Sequence, residues 1–244
     1  MRLIWAIARR EFVGYFITPI AYVFIAMFVF LGGIFAFYLG AFFDRGQADL
    51  QPFFQFHPWL YLFFIPALTM RLWAEERRSG TLELLLTLSV ALYQIVLGKF
   101  LAAWAFCAIA LALTFPIWIT VNYLGAPDNG VIFASYLGSL LMAGAFLSIG
   151  ICISGLTRNQ VIAFVLSAVV SLLFVLSGFP LVLDLFRGWA PDVLLSAISS
   201  FSFLTHFEAI SKGVIDLRDI VYFVSLIAFW LFANALFVEH EKAQ

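Results

Sequence analysis

The chain has 244 residues, of which 64% are hydrophobic and only 11% are charged. Soluble globular domains carry about 25% charged residues, so this chain lacks the charge needed to cover a water-exposed surface. Its mean hydropathy of +1.06 and net charge of −1 argue against a cytosolic enzyme, a nucleic-acid-binding protein and a disordered chain. The composition predicts an integral membrane protein.

Six apolar segments are separated by charges, Pro and Gly, and a helix needs about 20 such residues to cross a bilayer. They are apolar on every side, unlike helices on a soluble surface, and too long for transmembrane β-strands. The sequence therefore predicts an all-α polytopic protein, a single domain over residues 1–244 with six transmembrane helices. The segments are Ile20–Phe43, Phe53–Met70, Leu97–Tyr123, Val131–Leu156, Val161–Leu183 and Ile220–Val238.

Lys and Arg are unevenly divided between the two sides that this topology defines. Nine lie on one side, Lys99 among them, and four on the other. Cytoplasmic loops carry the excess of positive charge, so both termini are expected in the cytoplasm.

Residues 1–18 have the pattern of an amphipathic helix and not of a cleavable signal peptide. One arc of the helix is apolar, and arginines lie opposite. The apolar arc consists of Ile4, Trp5, Ala8, Phe12, Tyr15 and Phe16. This pattern predicts an interfacial helix on the cytoplasmic leaflet. The residues expected at the membrane interface are Trp5, Arg9, Arg10, Phe12 and Tyr15.

The predicted cytoplasmic segment 71–96 changes polarity along its length. Alternating charges from Arg71 to Arg78 precede Gly80, and a short apolar helix carrying Glu83 follows. The start is too polar to cross a bilayer, and the end is too apolar to lie free in water. Two interpretations stay open on the residues alone: a membrane-surface helix that meets another protein, or a solvated loop that only enforces topology.

The predicted extracytoplasmic loop 184–219 carries signals for short helices. Thr205 and Glu208 have the spacing of a capping box, and Gly213 is placed to end the helix that they would begin. Asp216 is a natural N-cap for the last crossing.

Catalytic and nucleotide-binding motifs are missing from the sequence: it contains no GxxxxGK[ST], HExxH, CxxC or GxSxG. The histidines, His57, His206 and His240, are scattered at the predicted membrane edges, so no metal site or catalytic residue is predicted. The helix centres lack the ionisable residues on which ion-coupled carriers depend. Energy for any transport is therefore expected from a partner, and no cofactor is expected on this chain.

Eight stretches carry a resemblance to a known family. They are Ala8–Phe12 with Thr18-Pro19, Thr69–Leu72, Ala74–Arg77, Gly80–Leu88, Ile95–Phe100, His206-Phe207 and Gly213–Asp219. Together they resemble the ABC-2 type permeases, the membrane subunits of ATP-driven exporters, and within that family the gliding-motility-associated permease subunits. The chain departs from these relatives at Ser89, where they often carry Pro, and at Ala91-Leu92, where they often carry a Ser/Thr-Asp pair.

The resemblance implies a permease dimer, formed with an identical or related chain in the bacterial inner membrane. It also implies two cytoplasmic ATPase subunits that hold ATP and Mg, so that this chain is not itself an enzyme. Glu75–Leu88 would be a coupling helix seated in a cleft of the ATPase, between helices 2 and 3. The implied ATPase-coupling residues are Arg71, Glu75, Glu76, Arg77, Gly80, Thr81 and Glu83.

The expected cargo is an amphipathic, lipid-linked or polymeric substrate. A non-transporting subunit that powers motility or the assembly of an exported machine is the alternative. A membrane-embedded enzyme acting on lipid is disfavoured because no acid pair or nucleophile–base cluster is visible in the sequence.

Overall fold

The computed structural model describes residues 2–80, 91–186 and 191–242, and all regular structure within these ranges is helical. The predicted all-α fold is confirmed for this part of the chain. Apolar runs fold this way because a helix satisfies its backbone polar groups within the segment. The helices are α1 Arg2–Ile17, α2 Pro19–Ile34 with a π-helical extension Phe35–Leu39, α3 Gln51–Phe54, α4 His57–Thr69, α5 Ala74–Ser79, α6 Leu92–Ala112, α7 Phe115–Leu124, α8 Asn129–Leu156, α9 Gln160–Leu176, α10 Pro180–Phe186, α11 Asp192–Ser199, α12 Phe203–Ser211 and α13 Leu217–Lys242.

Four stretches of the described chain are long and apolar enough to cross a membrane, so the chain is a multi-pass membrane protein. They coincide with the first, third, fourth and sixth predicted segments. The stretches are Ala21–Leu39, Leu92–Leu124, Asn129–Leu156 and Leu217–Glu239.

The other two predicted segments form shorter helices. Phe53–Met70 is divided between α3 and the 13 residues of α4; at about 1.5 Å per residue, α4 is shorter than a hydrocarbon core of about 30 Å. Val161–Leu183 is divided between the 17 residues of α9 and the start of α10. Six crossings therefore stay a prediction.

Helix α8 lies at the centre of the fold and packs against α4, α6, α9, α12 and α13. Its small residues allow this close approach, as small residues do in membrane helices. A Cβ at Gly138 would lie 2.7 Å from Cγ2 of Ile210 on α12, and one at Gly144 would lie 2.9 Å from Cδ1 of Ile227 on α13.

The predicted interfacial segment 1–18 forms α1, which ends before Thr18 and packs against α6. Trp5 is 71% exposed, and Arg9 and Arg10 are exposed as well. The Oη of Tyr15 is buried in the protein, and its ring lies 5.2 Å from that of Phe106; its placement at the headgroups stays a prediction. One face of α1 therefore packs on protein.

Helices α11 and α12 are a bent pair, with their axes at 68° across the break between them, and together they are apolar enough to form a broken span or a re-entrant segment. We refer to this bent pair as the α11–α12 hairpin. The prediction that Thr205 caps a helix is wrong: α12 begins at Phe203, and the N-cap Ser202 accepts a hydrogen bond of 3.1 Å from the Leu204 N–H. The other two signals are confirmed. Gly213 ends the helix with a φ of +86°, and the Asp216 side chain accepts a hydrogen bond of 3.1 Å from the Arg218 N–H.

Candidate functional site

A buried lysine joins three helices at the predicted cytoplasmic end of the molecule. Lys99 lies in the second turn of α6, and its side chain is 2% exposed. Its Nζ donates hydrogen bonds to the Leu72 carbonyl at 3.0 Å and to Glu76 Oε1 on α5 at 2.8 Å. The same Nζ lies 3.5 Å from Glu11 Oε1 on α1. We call Lys99, Glu76 and Glu11 the ionic cluster.

The surroundings of Lys99 balance its charge. A buried ammonium without partners is strongly unfavourable, and here two carboxylates, a carbonyl and the ring of Trp73, whose centroid is 5.1 Å from Nζ, all face it. Such an ammonium over an aromatic face adds a cation–π attraction. The cluster is therefore a satisfied buried ion group and not a chance surface pair.

Burial and charge act in opposite directions on Glu76. Burial raises the pKa of its carboxyl, and the charge of Lys99 and its hydrogen bond lower it in part. Glu11 is also paired with Arg10 at 2.8 Å, and this hydrogen bond raises the pKa of the Arg10 guanidinium. Both acids thus hold their place through cations on α1 and α6.

The N-terminal end of α5 is fixed by a serine of another helix. Ser154 Oγ on α8 accepts hydrogen bonds from the backbone N–H groups of Trp73 and Ala74, at 3.1 and 3.2 Å, and donates one of 3.2 Å to the Met70 carbonyl. Trp73 and Ala74 are fully buried. Helix N-termini leave such N–H groups without intrahelical partners. Ser154 therefore caps α5 from another helix and ties α5 to α8.

The predicted coupling residues divide into two groups. Arg71, Glu75 and Gly80 are exposed, whereas Glu76 and Arg77 are half-buried. Glu76 faces Lys99, so it holds α5 in place and does not form part of its outer surface. Gly80 ends α5 with a φ of +71°, and Thr81 and Glu83 lie outside the described residues.

Sequence reasoning missed Lys99, Glu11, Ser154 and the outward-facing Arg78. The division of Lys and Arg between the two sides treats Lys99 as a loop charge, although it lies inside the predicted third segment. Glu11 falls on the apolar arc of α1, between Ala8 and Tyr15. An acid on an apolar arc and a base inside an apolar segment are the signals that could have indicated a buried pair.

A cavity of about 440 Å³ borders the ionic cluster. Its walls include Ala21 and Phe24 of α2 and Leu68 of α4, and Tyr15 of α1 faces it. Burial raises the pKa of Tyr15, whose Oη has no hydrogen-bond partner among the described residues. The cavity therefore lies beside α5, between α1, α2 and α4.

Within the described ranges, no three His, Cys, Asp or Glu side chains lie close enough together to hold a metal ion. The side chain of His57 is fully buried in the core, and its placement at a membrane edge stays a prediction. Its Nδ1 lies 2.7 Å from Ser139 Oγ, which also lies 2.6 Å from Tyr61 Oη. This network joins α4 to α8.

Comparison with known families identifies the family to which the chain belongs. The family described as ABC-2 family transporter protein matches residues 50–238, which is most of the chain and includes α5, Lys99 and Ser154. The chain belongs to this family. Membership makes it a membrane component, generally not catalytic itself, and suggests a permease subunit of an ABC transporter, which typically works with an ABC ATPase. None of the curated proteins compared with the chain matches it.

Proposed function

We propose that this chain is the permease subunit of an ATP-driven ABC exporter, and that α5 and the residues after it form the surface that docks on the ATPase. The observation that carries the proposal is the ionic cluster. Through the buried Lys99 of α6, the cluster joins the segment that follows the second predicted crossing, which contains α5, to α6 and α1. A solvated loop that only enforces topology does not require such anchoring.

The anchoring supports a transmission role for α5. The Lys99–Glu76 pair couples it to α6, and Ser154 couples its start to α8. A force applied to the outer face of α5 would therefore act on two long helices at once. Closure of the ATPases on ATP would shift these helices between inward-open and outward-open states.

The docking surface that we propose consists of the exposed charges of α5 and its approach. Arg71, Glu75 and Arg78 are exposed, and Glu75 and Arg78 stand on a helix of six residues. Charged side chains at the rim of an interface set orientation and partner choice. Thr81 and Glu83 would extend this surface.

Charge reversal at the outer face of α5 tests the docking surface. The double variant Glu75→Lys/Arg78→Glu is compared with Glu208→Lys, an exposed charge on α12, at the other end of the fold in the predicted topology. After affinity purification from native membranes, we expect a stoichiometric ABC ATPase with the wild type and with Glu208→Lys. We expect much less with the α5 variant. Equal recovery in all three would overturn the assignment.

The wider assembly is part of the same proposal. It comprises two permeases, identical or related, and two ATPases that hold ATP and Mg, in the bacterial inner membrane with both permease termini in the cytoplasm. Six crossings in each permease, with α4 and α9 as the short ones, complete it. The cargo would be amphipathic, lipid-linked or polymeric.

A non-transporting role is the second candidate, and it rests on the likeness to gliding-motility-associated permeases. In that role the ATPase would drive motility or the assembly of an exported machine through this chain. Reconstituting the purified complex in liposomes separates the two. ATP-dependent movement of a lipid-linked substrate supports the exporter, and ATP hydrolysis without movement of any substrate tested favours the second role.

A further inference from the structure

The hairpin α11–α12 is held against α13 by a histidine that contacts two hydrogen-bond acceptors. His206 Nδ1 lies 2.6 Å from Asp219 Oδ1 at the start of α13, and His206 Nε2 lies 3.0 Å from the Ser200 carbonyl between the two hairpin helices. His206 and Asp219 are both buried. The site is separate from the ionic cluster and takes no part in the proposed docking.

A neutral imidazole beside an ionised Asp219 cannot satisfy both contacts. It carries one N–H, and its other nitrogen is an acceptor. If the N–H faces Ser200, the Nδ1 lone pair faces a carboxylate oxygen at 2.6 Å; if it faces Asp219, the Nε2 lone pair faces a carbonyl at 3.0 Å. A ring with protons on both nitrogens donates to both acceptors.

His57 provides the contrast within the same chain. Its Nδ1 contacts the hydroxyl of Ser139, which can donate as well as accept. A neutral ring is therefore satisfied at that contact. The requirement for a second proton belongs to the surroundings of His206 and not to buried histidine in general.

The other neighbours of His206 favour the doubly protonated ring. The Tyr222 ring is stacked on it, with centroids 3.9 Å apart and planes at 19°, an arrangement that suits a cation over an aromatic face. The Tyr222 hydroxyl also donates a hydrogen bond to the Phe201 carbonyl at 2.5 Å. Tyr222 of α13 therefore contacts the hairpin through both its ring and its hydroxyl.

Among the side chains that the structure describes, the charged groups that share a cavity with the ring lie on α13 and the turn before it, namely Asp216, Arg218 and Asp219. Helices α8 and α9, which pack on the hairpin, contain no Asp, Glu, Lys, Arg or His. On α12 itself, Glu208 is exposed and paired with Lys212 at 2.6 Å.

A cavity of about 410 Å³ gives His206 a path to solvent. His206 and Asp219 line it together with Asp216 and Arg218, which are exposed. A proton can therefore exchange with the medium at the buried pair.

We propose that His206 carries protons on both ring nitrogens and is the positioning residue that closes the α11–α12 hairpin on α13, and that loss of one proton releases the hairpin. In the proposed topology the hairpin lies outside the cytoplasm, so external alkalinisation would loosen the exit side of the permease. That side assignment rests on the proposed function; the protonation state of the ring does not.

Nitrogen NMR of the full chain in lipid nanodiscs, labelled with ¹⁵N-histidine, tests the protonation directly. The chain has only three histidines, so the variants His57→Gln and His240→Gln assign the signals. We expect both His206 nitrogens to be protonated at neutral pH. One unprotonated nitrogen in His206 would overturn the proposal even if the ATPase docks as proposed above.

Hydrogen exchange of residues 200–222 tests the release. Wild type and His206→Gln are compared at the same pH, so that the intrinsic pH effect on exchange cancels. At neutral pH we expect exchange in the wild type to be about tenfold slower, because a charge-assisted hydrogen bond is kept, and the difference to vanish at alkaline pH. When Asp219→Asn is added to both proteins, the difference in exchange between them should vanish at a lower pH. A difference that does not change with pH would overturn the switch.

Discussion

Lys99 and Glu76 stand 23 positions apart in the chain and meet at 2.8 Å inside the protein, one on a long apolar helix and the other on the six-residue helix α5. The ion pair fixes a short polar helix to a long apolar one. In a family that typically works with a separate ATPase, such a link is a physical route by which movement at the surface reaches the helices.

Replacing Lys99 by Met should destabilise the protein by about 3 kcal/mol, because removing one partner leaves buried carboxylates without their cation. Thermal unfolding of the purified protein in detergent checks this value. Lys99→Met/Glu76→Gln, which removes both charges, should recover part of the loss. Equal stability of the wild type and Lys99→Met would mean that the cluster contributes nothing.

The pH dependence of the Lys99→Met variant should differ from that of the wild type. Burial raises the pKa of Glu76 and Lys99 lowers it, so the variant should raise it further. A carboxyl whose pKa is raised by folding stabilises the protein at low pH, and this stability is lost as the pH rises through the raised pKa.

Unfolding temperatures measured between about pH 5 and about pH 8 test the shift. Lys99→Met should lose more stability over this range than the wild type does. In Lys99→Met/Glu76→Gln the extra loss should be absent. The same slope in both variants would show that another group titrates.

Gly98→Ala should separate α1 from α6. A Cβ at Gly98 would lie 2.6 Å from Ile7 Cγ2 and 3.3 Å from the Ile4 carbonyl. Overpacking of this kind costs about 1–3 kcal/mol, and we expect faster proteolysis within α1. Gly14→Ala is the matched control, because nothing lies within 4 Å of its Cβ position. Equal proteolysis of both variants would contradict the packing of α1 on α6.

Ser154→Ala should loosen the start of α5 without changing its charges. The variant leaves the buried N–H groups of Trp73 and Ala74 without their acceptor, at a cost of about 1–3 kcal/mol. We expect weaker stimulation of ATP hydrolysis in the assembled complex. Ser225→Ala, which removes an exposed hydroxyl on α13, should leave the stimulation unchanged; an equal fall in both variants would count against Ser154 as an anchor.

The helical class, four long spans and the helix-end signals at Gly213 and Asp216 could be predicted because their signals are local. The Asp216 side chain accepts from an N–H only two residues away. The capping box at Thr205 was wrong because tertiary packing moved the helix start: Phe203 and Phe207, one turn apart, are both buried, so α12 must include both.

The ionic cluster could be predicted only in part. The polar segment containing Glu75 and Glu76 was identified from its change of polarity, but the inward direction of Glu76 depends on how three helices pack. Lys99 has the sequence environment of a boundary lysine, and its burial follows from contacts with residues distant in the chain. Pairing of this kind is not encoded in local periodicity.

The most direct test of the central claim is photo-crosslinking from α5 in native membranes. A photoreactive amino acid replaces Arg78 on α5 in one variant and Tyr123, which is 89% exposed at the end of α7, in the other. We predict a crosslink to an ABC ATPase from position 78 and none from position 123. A crosslink to the ATPase from position 123 alone would contradict the assignment of α5 as the coupling helix.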